Sequence, residues 1–247
     1  MKKIIAILLV LVLVVCFAAC SAPEVAPAPA EVPEEPGTEV AGGWTINTEN
    51  GLDSMPEKAA TAWYGAMGEL TGASYDPLAL LGTQVVAGTN YMFLARETLV
   101  TKEPVTKLAV VVIYEDLKGN DELLNVYDFK LDKYLSAENS GSQAEQGLAG
   151  GFTVNEDIDK TADVSAEDKA DFEKAFDGLT GVGYTPVTVL ASQVVAGQNL
   201  AFLAKGVTVT AEPVTKLYIV NVYKDLNDGA SINNICELNL ADLTAEE

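Results

Sequence analysis

Apolar and polar positions follow one pattern that occurs twice along the chain. Each occurrence starts with a short alternating stretch, continues with apolar residues at helical spacing, and ends in four apolar runs of strand length. In the first occurrence, these runs are Leu78–Val86, Tyr91–Val100, Leu108–Tyr114 and Leu123–Leu131. The connections between the runs are short, which predicts antiparallel pairing. The pattern therefore predicts an α+β fold in which two tandem domains each pack one helix on an antiparallel β-sheet.

A capping sequence and an apolar stripe mark the helix of each half. Ser54 with Glu57, and Ser165 with Asp168, have the spacing of a capping box at a helix N-terminus. The stripes that follow consist of Ala59, Trp63, Ala66, Met67 and Leu70 in the first half, and of Phe172, Ala175, Phe176 and Leu179 in the second. We expect Trp63 and Phe172 to anchor their helices in the core.

Two short segments recur almost unchanged. Gln84–Gly88 returns as Gln193–Gly197, and Glu103–Leu108 returns as Glu212–Leu217, in each case 109 residues later. Repetition at a fixed offset indicates two copies of one domain. The second segment contains a proline that suits a turn, so we expect it to be a structural turn at the end of the sheet opposite to Gln84–Gly88.

The repeats set the domain boundaries. We place the first copy at residues 41–132, a linker at 133–148 and the second copy at 149–241. Cys236 is the only cysteine in the predicted folded region, so no disulfide can form inside either copy. We therefore expect each copy to be stable through its own hydrophobic core and to fold independently.

The N-terminus has the features of an export signal. Lys2-Lys3 precedes an apolar run at Ile4–Val15, and the small residues Ala18-Ala19 follow. A short positive region, a short apolar region and small residues are typical of a signal peptide, which we assign to residues 1–19. This assignment places the remainder of the chain outside the cytoplasm.

The residues around the predicted cleavage site resemble a bacterial lipobox. The match is Phe17–Cys20, and the resemblance implies that Cys20 is lipidated and becomes the mature N-terminus. Residues 20–40 are rich in proline and acidic residues, which predicts an extended tether above the membrane. The alternative is an uncleaved transmembrane anchor, although the apolar run is short for that role. Both interpretations give a membrane-anchored protein at the cell envelope.

Composition excludes several classes of function. The chain has 36 acidic and 15 basic residues, a net charge of -21, and no cluster of basic residues beyond Lys2-Lys3, so nucleic acid is not an expected partner. It has no histidine, which removes Ser-His-Asp and Cys-His catalysis and imidazole metal sites. We therefore expect no enzymatic activity, no cofactor and no metal.

The order of elements and one motif resemble the cystatin family. The motif is Gln-x-Val-x-Gly at Gln84–Gly88 and Gln193–Gly197, and a glycine pair precedes the first strand of each copy. The resemblance implies a cystatin fold and an inhibitor of papain-like cysteine proteases from a host, a competitor or the same cell. It also implies that a glycine arm and the first hairpin of each copy form a wedge that occupies the protease cleft. The implied inhibitory residues are Gly42, Gly43, Gln84, Val85, Val86, Ala87, Gly88, Gly150, Gly151, Gln193, Val194, Val195, Ala196 and Gly197.

The chain departs from the family between the last two strands of each copy. Cystatins carry a Pro-Trp pair there, whereas this chain has Asp116–Asp121 and Asp225–Gly229, both without tryptophan. Three interpretations stay open: weak inhibition by each copy, inhibition carried by the first hairpin, or a non-inhibitory surface module that binds another protein. Under the inhibitor hypothesis, replacing Gly88 and Gly197 with glutamate is expected to abolish binding while the fold survives.

Overall fold

The first copy forms a five-stranded antiparallel sheet with a helix across one face. These features come from a computed structural model that describes residues 42–49, 54–68, 70–135, 151–155 and 164–245. The elements of the first copy are β1 (Trp44–Ile46), α1 (Glu57–Met67), β2 (Ala73–Val86), β3 (Gly88–Leu99), β4 (Thr106–Asp116), β5 (Asp121–Asp128) and α2 (Asp132–Leu135). The strands lie side by side in chain order.

The second copy repeats this arrangement. Its elements are β6 (Thr153–Val154), α3 (Ala166–Ala175), β7 (Val182–Val195), β8 (Gly197–Thr208), β9 (Thr215–Lys224), β10 (Ala230–Leu238) and a 3-10 helix (Leu240–Leu243). Its strands also neighbour one another in chain order, and every pairing is antiparallel. Two antiparallel sheets with a few helices are compatible with the predicted α+β class.

The two helix caps differ from each other. Ser165 caps α3 as predicted, because its Oγ accepts a hydrogen bond from the amide of Asp168 at 3.0 Å and donates one to the Asp168 carboxylate at 2.8 Å. The predicted cap of α1 is wrong. Pro56 occupies the N-cap position with an extended backbone, and no side chain caps the helix. Ser54 lies outside the position from which a capping side chain reaches the first turn.

Both helices also end earlier than the apolar stripes predict. α1 ends at Met67 and α3 at Ala175, so Leu70 and Leu179 lie beyond them and are exposed. The prediction that the last leucine of each apolar stripe lies on the helix and packs in the core is therefore wrong. Both leucines are instead available for contacts at the surface.

An aromatic pair anchors each helix, as predicted. The Trp63 ring meets Phe93 of β3 edge-to-face at 5.0 Å, and the Phe172 ring meets Phe202 of β8 in the same way at 5.0 Å. All four side chains are buried. Such edge-to-face pairs add about 0.5–1.5 kcal/mol beyond the burial of their area.

The opposite faces of the two sheets share one hydrophobic core. Side chains such as Leu81 and Met92 of the first copy belong to the same buried cluster as Leu190 and Leu203 of the second. The layers are therefore helix, sheet, sheet and helix. A face that would be open to water in a single copy is covered by the other copy, which argues against the expectation that each copy is stable alone.

Two reciprocal polar contacts cross between the copies. Arg96 of β3 donates a hydrogen bond to the Asn155 carbonyl just after β6, at 3.2 Å. Lys205, which lies at the equivalent position of β8, donates one to the Thr48 carbonyl just after β1. Because each copy offers the same side-chain position to the same part of the other, the pair is related by an approximate two-fold axis.

The segments that follow β5 and β10 show how the copies are oriented. α2 packs against β9 and β10, where the Asn234 amide donates to the Tyr134 carbonyl at 2.7 Å. In the reverse direction, the 3-10 helix after β10 packs against β1, which pairs with the end of β2 at Gln84. Each sheet has a Gln-Val-Val-Ala-Gly segment at one end. The opposite end of that sheet therefore lies beside the Gln-Val-Val-Ala-Gly segment of the other copy. The two segments consequently lie at opposite ends of the shared body.

Candidate functional site

Each Gln-Val-Val-Ala-Gly segment forms a tight hairpin, which we name the QVVAG hairpin. Val86 pairs with Gly88 across the first hairpin, and Val195 pairs with Gly197 across the second. Gly88 has a φ of 138°, a conformation that favours glycine. A Cβ at Gly88 would clash with the carbonyl oxygen of Glu115 on β4. The glycine is therefore needed for the sheet itself, where β3 approaches β4.

This geometry corrects one expectation. Gly88→Glu and Gly197→Glu were expected to spare the fold, yet a side chain at either position would meet backbone of the neighbouring strand. At Gly197 the clash is with the Lys224 carbonyl, and the φ of 122° adds strain. Substituting these glycines distorts the hairpin, so such variants cannot report on binding alone.

A tyrosine holds the turn of each hairpin. The Tyr114 hydroxyl donates to the Ala87 carbonyl at 2.6 Å, and the Tyr223 hydroxyl donates to the Ala196 carbonyl at 2.5 Å. Each bond joins β4 or β9 to the turn residue of the adjacent hairpin, which fixes the shape of the turn. The sequence-based reasoning missed both tyrosines, although their recurrence 109 residues apart in the chain is the signal that could have found them.

The motif glutamine links the hairpin to the glycine arm. The Gln84 Nε2 donates a hydrogen bond to the Gly42 carbonyl at 2.9 Å, and the Gln84 Oε1 accepts one from the side-chain Nδ2 of Asn90 at 2.7 Å. Gly43 lies between Gly42 and β1, and thus close to the same link. The structure therefore brings the predicted arm and hairpin of the first copy together.

The second copy repeats half of this link within the described residues. The side-chain Nδ2 of Asn199 donates a hydrogen bond to the Gln193 Oε1 at 2.7 Å, which matches the bond from Asn90 to Gln84 in the first copy. Gly151 lies just before β6, whereas Gly150 lies outside the residues that the structure describes. The sites of the two copies are separate, because the hairpins lie at opposite ends of the body.

The Val-Val-Ala stretch forms the exposed part of both hairpins, and Ala87 and Ala196 are exposed with the valines. Val85 and Val86 are exposed in the first copy, and Val194 and Val195 in the second. Exposed apolar side chains on a rigid hairpin gain about 25 cal/mol per Å² when a partner covers them. The hairpins are therefore suited to binding a complementary apolar cleft.

A second exposed loop adjoins each hairpin. We name the segments Asp116–Asp121 and Asp225–Ala230 the Asp-Leu loops, because each places a leucine in water directly after an aspartate. Leu117 is 85% exposed and Leu226 is 79% exposed. Asp116 pairs with Gly88 across β3 and β4, so the loop emerges beside the hairpin. The sequence-based reasoning did not select these leucines, although both recur at the repeat offset.

The aspartate of each Asp-Leu loop orders the loop. Asp116 Oδ1 accepts from the Lys118 amide at 2.7 Å and from the Asn120 amide at 3.0 Å. These hydrogen bonds hold the pKa of Asp116 below its ordinary value, and the bond from the backbone amide of Asn120 has the largest effect. The Gly229 amide, bonded at 2.8 Å, likewise holds the pKa of Asp225 below its ordinary value. Hydrogen bonds to a carboxylate favour its charged form.

The charges beside the two hairpins differ. In the first copy, burial raises the pKa of Tyr91, whose hydroxyl donates to the Glu115 carboxylate at 2.7 Å. In the second copy, Lys224 stands at the position of Glu115 and forms ion pairs with Glu167 at 2.6 Å and Asp171 at 2.9 Å. The hydrogen bond that the Lys224 ammonium donates to Glu167, together with its contact with the Asp171 carboxylate, raises the pKa of Lys224. This strand position is therefore anionic in the first copy, and in the second it carries a cation paired with two carboxylates.

Scans of the chain against protein-family models and against curated proteins gave no match. Within the described ranges, no group of Cys, Asp or Glu side chains is placed to hold a metal ion. No helix in the part of the chain that the structure describes has the length and apolar character needed to cross a membrane. Cys20 and the rest of residues 1–41 lie outside those ranges.

Proposed function

We propose that this chain is an extracytoplasmic, membrane-anchored inhibitor of papain-like cysteine proteases, built from two tandem cystatin-like domains. Each QVVAG hairpin would enter the active-site cleft of a protease and block it without chemistry. The observation that carries this proposal is the link between Gln84 and Gly42, which joins an exposed apolar hairpin to the glycine arm. Because the hairpin and the arm are held together, they would present one continuous edge to the protease cleft.

The rigidity of the hairpins supports this mode of binding. Gly88 sets the turn, Tyr114 fixes its carbonyl, and Gln84 fixes the arm, so little conformational freedom remains to be lost on binding. Preorganisation of this kind improves affinity because it reduces the entropy lost at association. The valines then provide the apolar contact.

Anchoring to the membrane is proposed from the sequence. Lys2-Lys3, the apolar run and Cys20 after two alanines support export and lipidation. A tether at residues 20–40 would hold the body above the surface, where it would meet proteases outside the cytoplasm. Mass spectrometry of the mature chain tests this part: an intact Met1 without an acyl chain would contradict it.

The Asp-Leu loops favour a second candidate function. Each loop presents a single exposed leucine in place of the Pro-Trp pair of cystatins, and a lost aromatic hot spot typically costs about 2 kcal/mol or more. A surface module that binds a different protein through the same hairpins would carry the same exposed residues. The two candidates differ only in the partner.

Inhibition measurements separate them. The full chain in detergent is titrated against a panel of papain-like proteases, together with Val85→Ser combined with Val194→Ser. Tyr64→Ser is the matched control, since Tyr64 is an exposed side chain on α1 rather than on a hairpin. The inhibitor hypothesis predicts inhibition that the valine variant weakens and the control preserves. A wild type that fails against the whole panel at micromolar concentration favours the binding module.

A further inference from the structure

Four valines are exposed at two turns that the proposed wedge leaves unused. We name the segments Val100–Val105 and Val209–Val214 the valine turns; they connect β3 to β4 and β8 to β9. Val100 and Val209 are 72% and 75% exposed, and Val105 and Val214 are also exposed. Each turn exposes two valines at matching positions in both copies, and contiguous exposed apolar area is typical of an interaction surface.

The shape of the valine turns does not depend on these side chains. The Thr101 hydroxyl donates to the Glu103 carbonyl at 2.5 Å, and the Thr210 hydroxyl donates to the Glu212 carbonyl at 2.7 Å. Polar and backbone bonds therefore set the turn, and polar residues could replace the valines without loss of the fold. A purely structural role for Glu103–Leu108 and Glu212–Leu217 does not account for the exposed valines.

Each valine turn adjoins an exposed leucine. The Val100 amide donates to the Gly72 carbonyl at 3.0 Å, which places the turn beside the segment that contains Leu70. The Val209 amide donates to the Gly181 carbonyl at 2.9 Å beside Leu179 in the same way. Both leucines are exposed. The apolar area at this end of each sheet is thus larger than the turn alone.

The packing of the copies places each valine turn near the other copy's hairpin. β4, which follows the first valine turn, contacts β6, and β9, which follows the second, contacts β1. A surface pocket has Thr106 and Leu108 of the first copy on one side and Phe152 and Ala191 of the second on the other. Phe152 directly precedes Thr153 of β6, which pairs with Ser192 at the base of the second QVVAG hairpin. One end of the body therefore carries a hairpin from one copy and a valine turn from the other.

We propose that each QVVAG hairpin and the valine turn of the other copy form one composite docking surface for a single papain-like protease molecule. This inference rests on the proposed function. A stable protein interface covers about 800 Å² on each partner, more than a few hairpin valines provide, and the neighbouring turn supplies further apolar area at the same end. The body has two such surfaces at opposite ends, and it binds two protease molecules at once.

A one-site chain allows a sharp test of the composite surface. Val194→Ser with Val195→Ser silences the second hairpin and leaves the first. In that background, Val209→Ser with Val214→Ser changes the valine turn of the second copy, which shares an end with the first hairpin. The matched control is Val100→Ser with Val105→Ser, the same change at the other end. All of these valines are exposed, so the fold is retained, which thermal unfolding verifies.

The expected result is a weakening of inhibition by about tenfold for the cross-copy pair and no change for the control pair. The composite surface would be overturned if neither pair of substitutions changed inhibition, or if only the control pair weakened it. In either case, inhibition by the wild type would still support the proposed function. A wild type without inhibition would overturn both. Native mass spectrometry with an inactivated protease should show two molecules per wild-type chain and one per one-site chain; one per wild-type chain would contradict the arrangement.

Discussion

The Gln84 side chain donates a hydrogen bond to the carbonyl oxygen of Gly42, 2.9 Å away, and so joins positions 42 residues apart in the chain. The same glutamine accepts from Asn90 on the far strand of its hairpin. One side chain therefore couples the arm, β2 and β3. Its function is positioning: it sets where the arm lies relative to the valines.

Gln84→Ala is expected to loosen the arm. Losing these hydrogen bonds should lower the free energy of unfolding by about 1 kcal/mol, because the site is partly exposed and water replaces part of the loss. The main effect should be local, with faster amide hydrogen exchange at residues 44–46 and unchanged exchange in β4. Gln84→Glu, which keeps the acceptor and removes the donor, should loosen the arm while keeping the contact with Asn90. Unaltered exchange in both variants would show that the link does not hold the arm.

Gly88→Ala should destabilise the fold far more than Gly119→Ala. Both glycines have positive φ, yet a Cβ at Gly88 meets the Glu115 carbonyl, whereas one at Gly119 meets nothing within 4 Å. We expect a cost of about 3 kcal/mol or more at Gly88, from strain and overlap together, and about 1 kcal/mol at Gly119. Urea denaturation of both variants measures this difference. Equal costs would mean that backbone strain alone explains the glycine at position 88.

The elements of each copy could be predicted from the sequence, because strand runs and repeated turns leave strong local signals. The pairing of the two sheets was missed. Tyr91–Ala95 is an uninterrupted apolar run whose residues are all buried, and such a run indicates a strand covered on both faces. One helix per sheet covers only one face, so this run already required a second layer. Leu117 was also missed: a single leucine in a polar loop has no local period, and only its recurrence as Leu226 at the repeat offset marks it.

The Asp-Leu loops should lose order in acid. The folded-state pKa of Asp116 is lowered, so its contribution to loop order is present above its ordinary value of 3.8 and is lost as the pH falls through the lower folded pKa. Asp225 follows the same rule. Amide exchange protection at Lys118 should be constant from neutral pH to about pH 4 and fall below it. Asp116→Asn removes the titrating group and should flatten this profile; a fall that persists in Asp116→Asn would assign the pH dependence to another residue.

The last prediction concerns the shared core. Fragments 41–135 and 149–245, which keep α2 and the 3-10 helix, each expose a sheet face that the other copy buries in the intact chain, with residues such as Leu81 and Leu203 turned to water. Neither fragment alone should unfold cooperatively in urea, and each should bind a hydrophobic dye, whereas an equimolar mixture should regain cooperative unfolding. In the intact chain, Leu203→Ala should cost about 2–5 kcal/mol, since the side chain is 1% exposed and the cavity lies between the sheets. Tyr64→Ala on the outer helix is the control and should cost little. Two fragments that each unfold cooperatively as monomers would restore the picture of independent domains and would remove the basis for hairpins fixed at opposite ends.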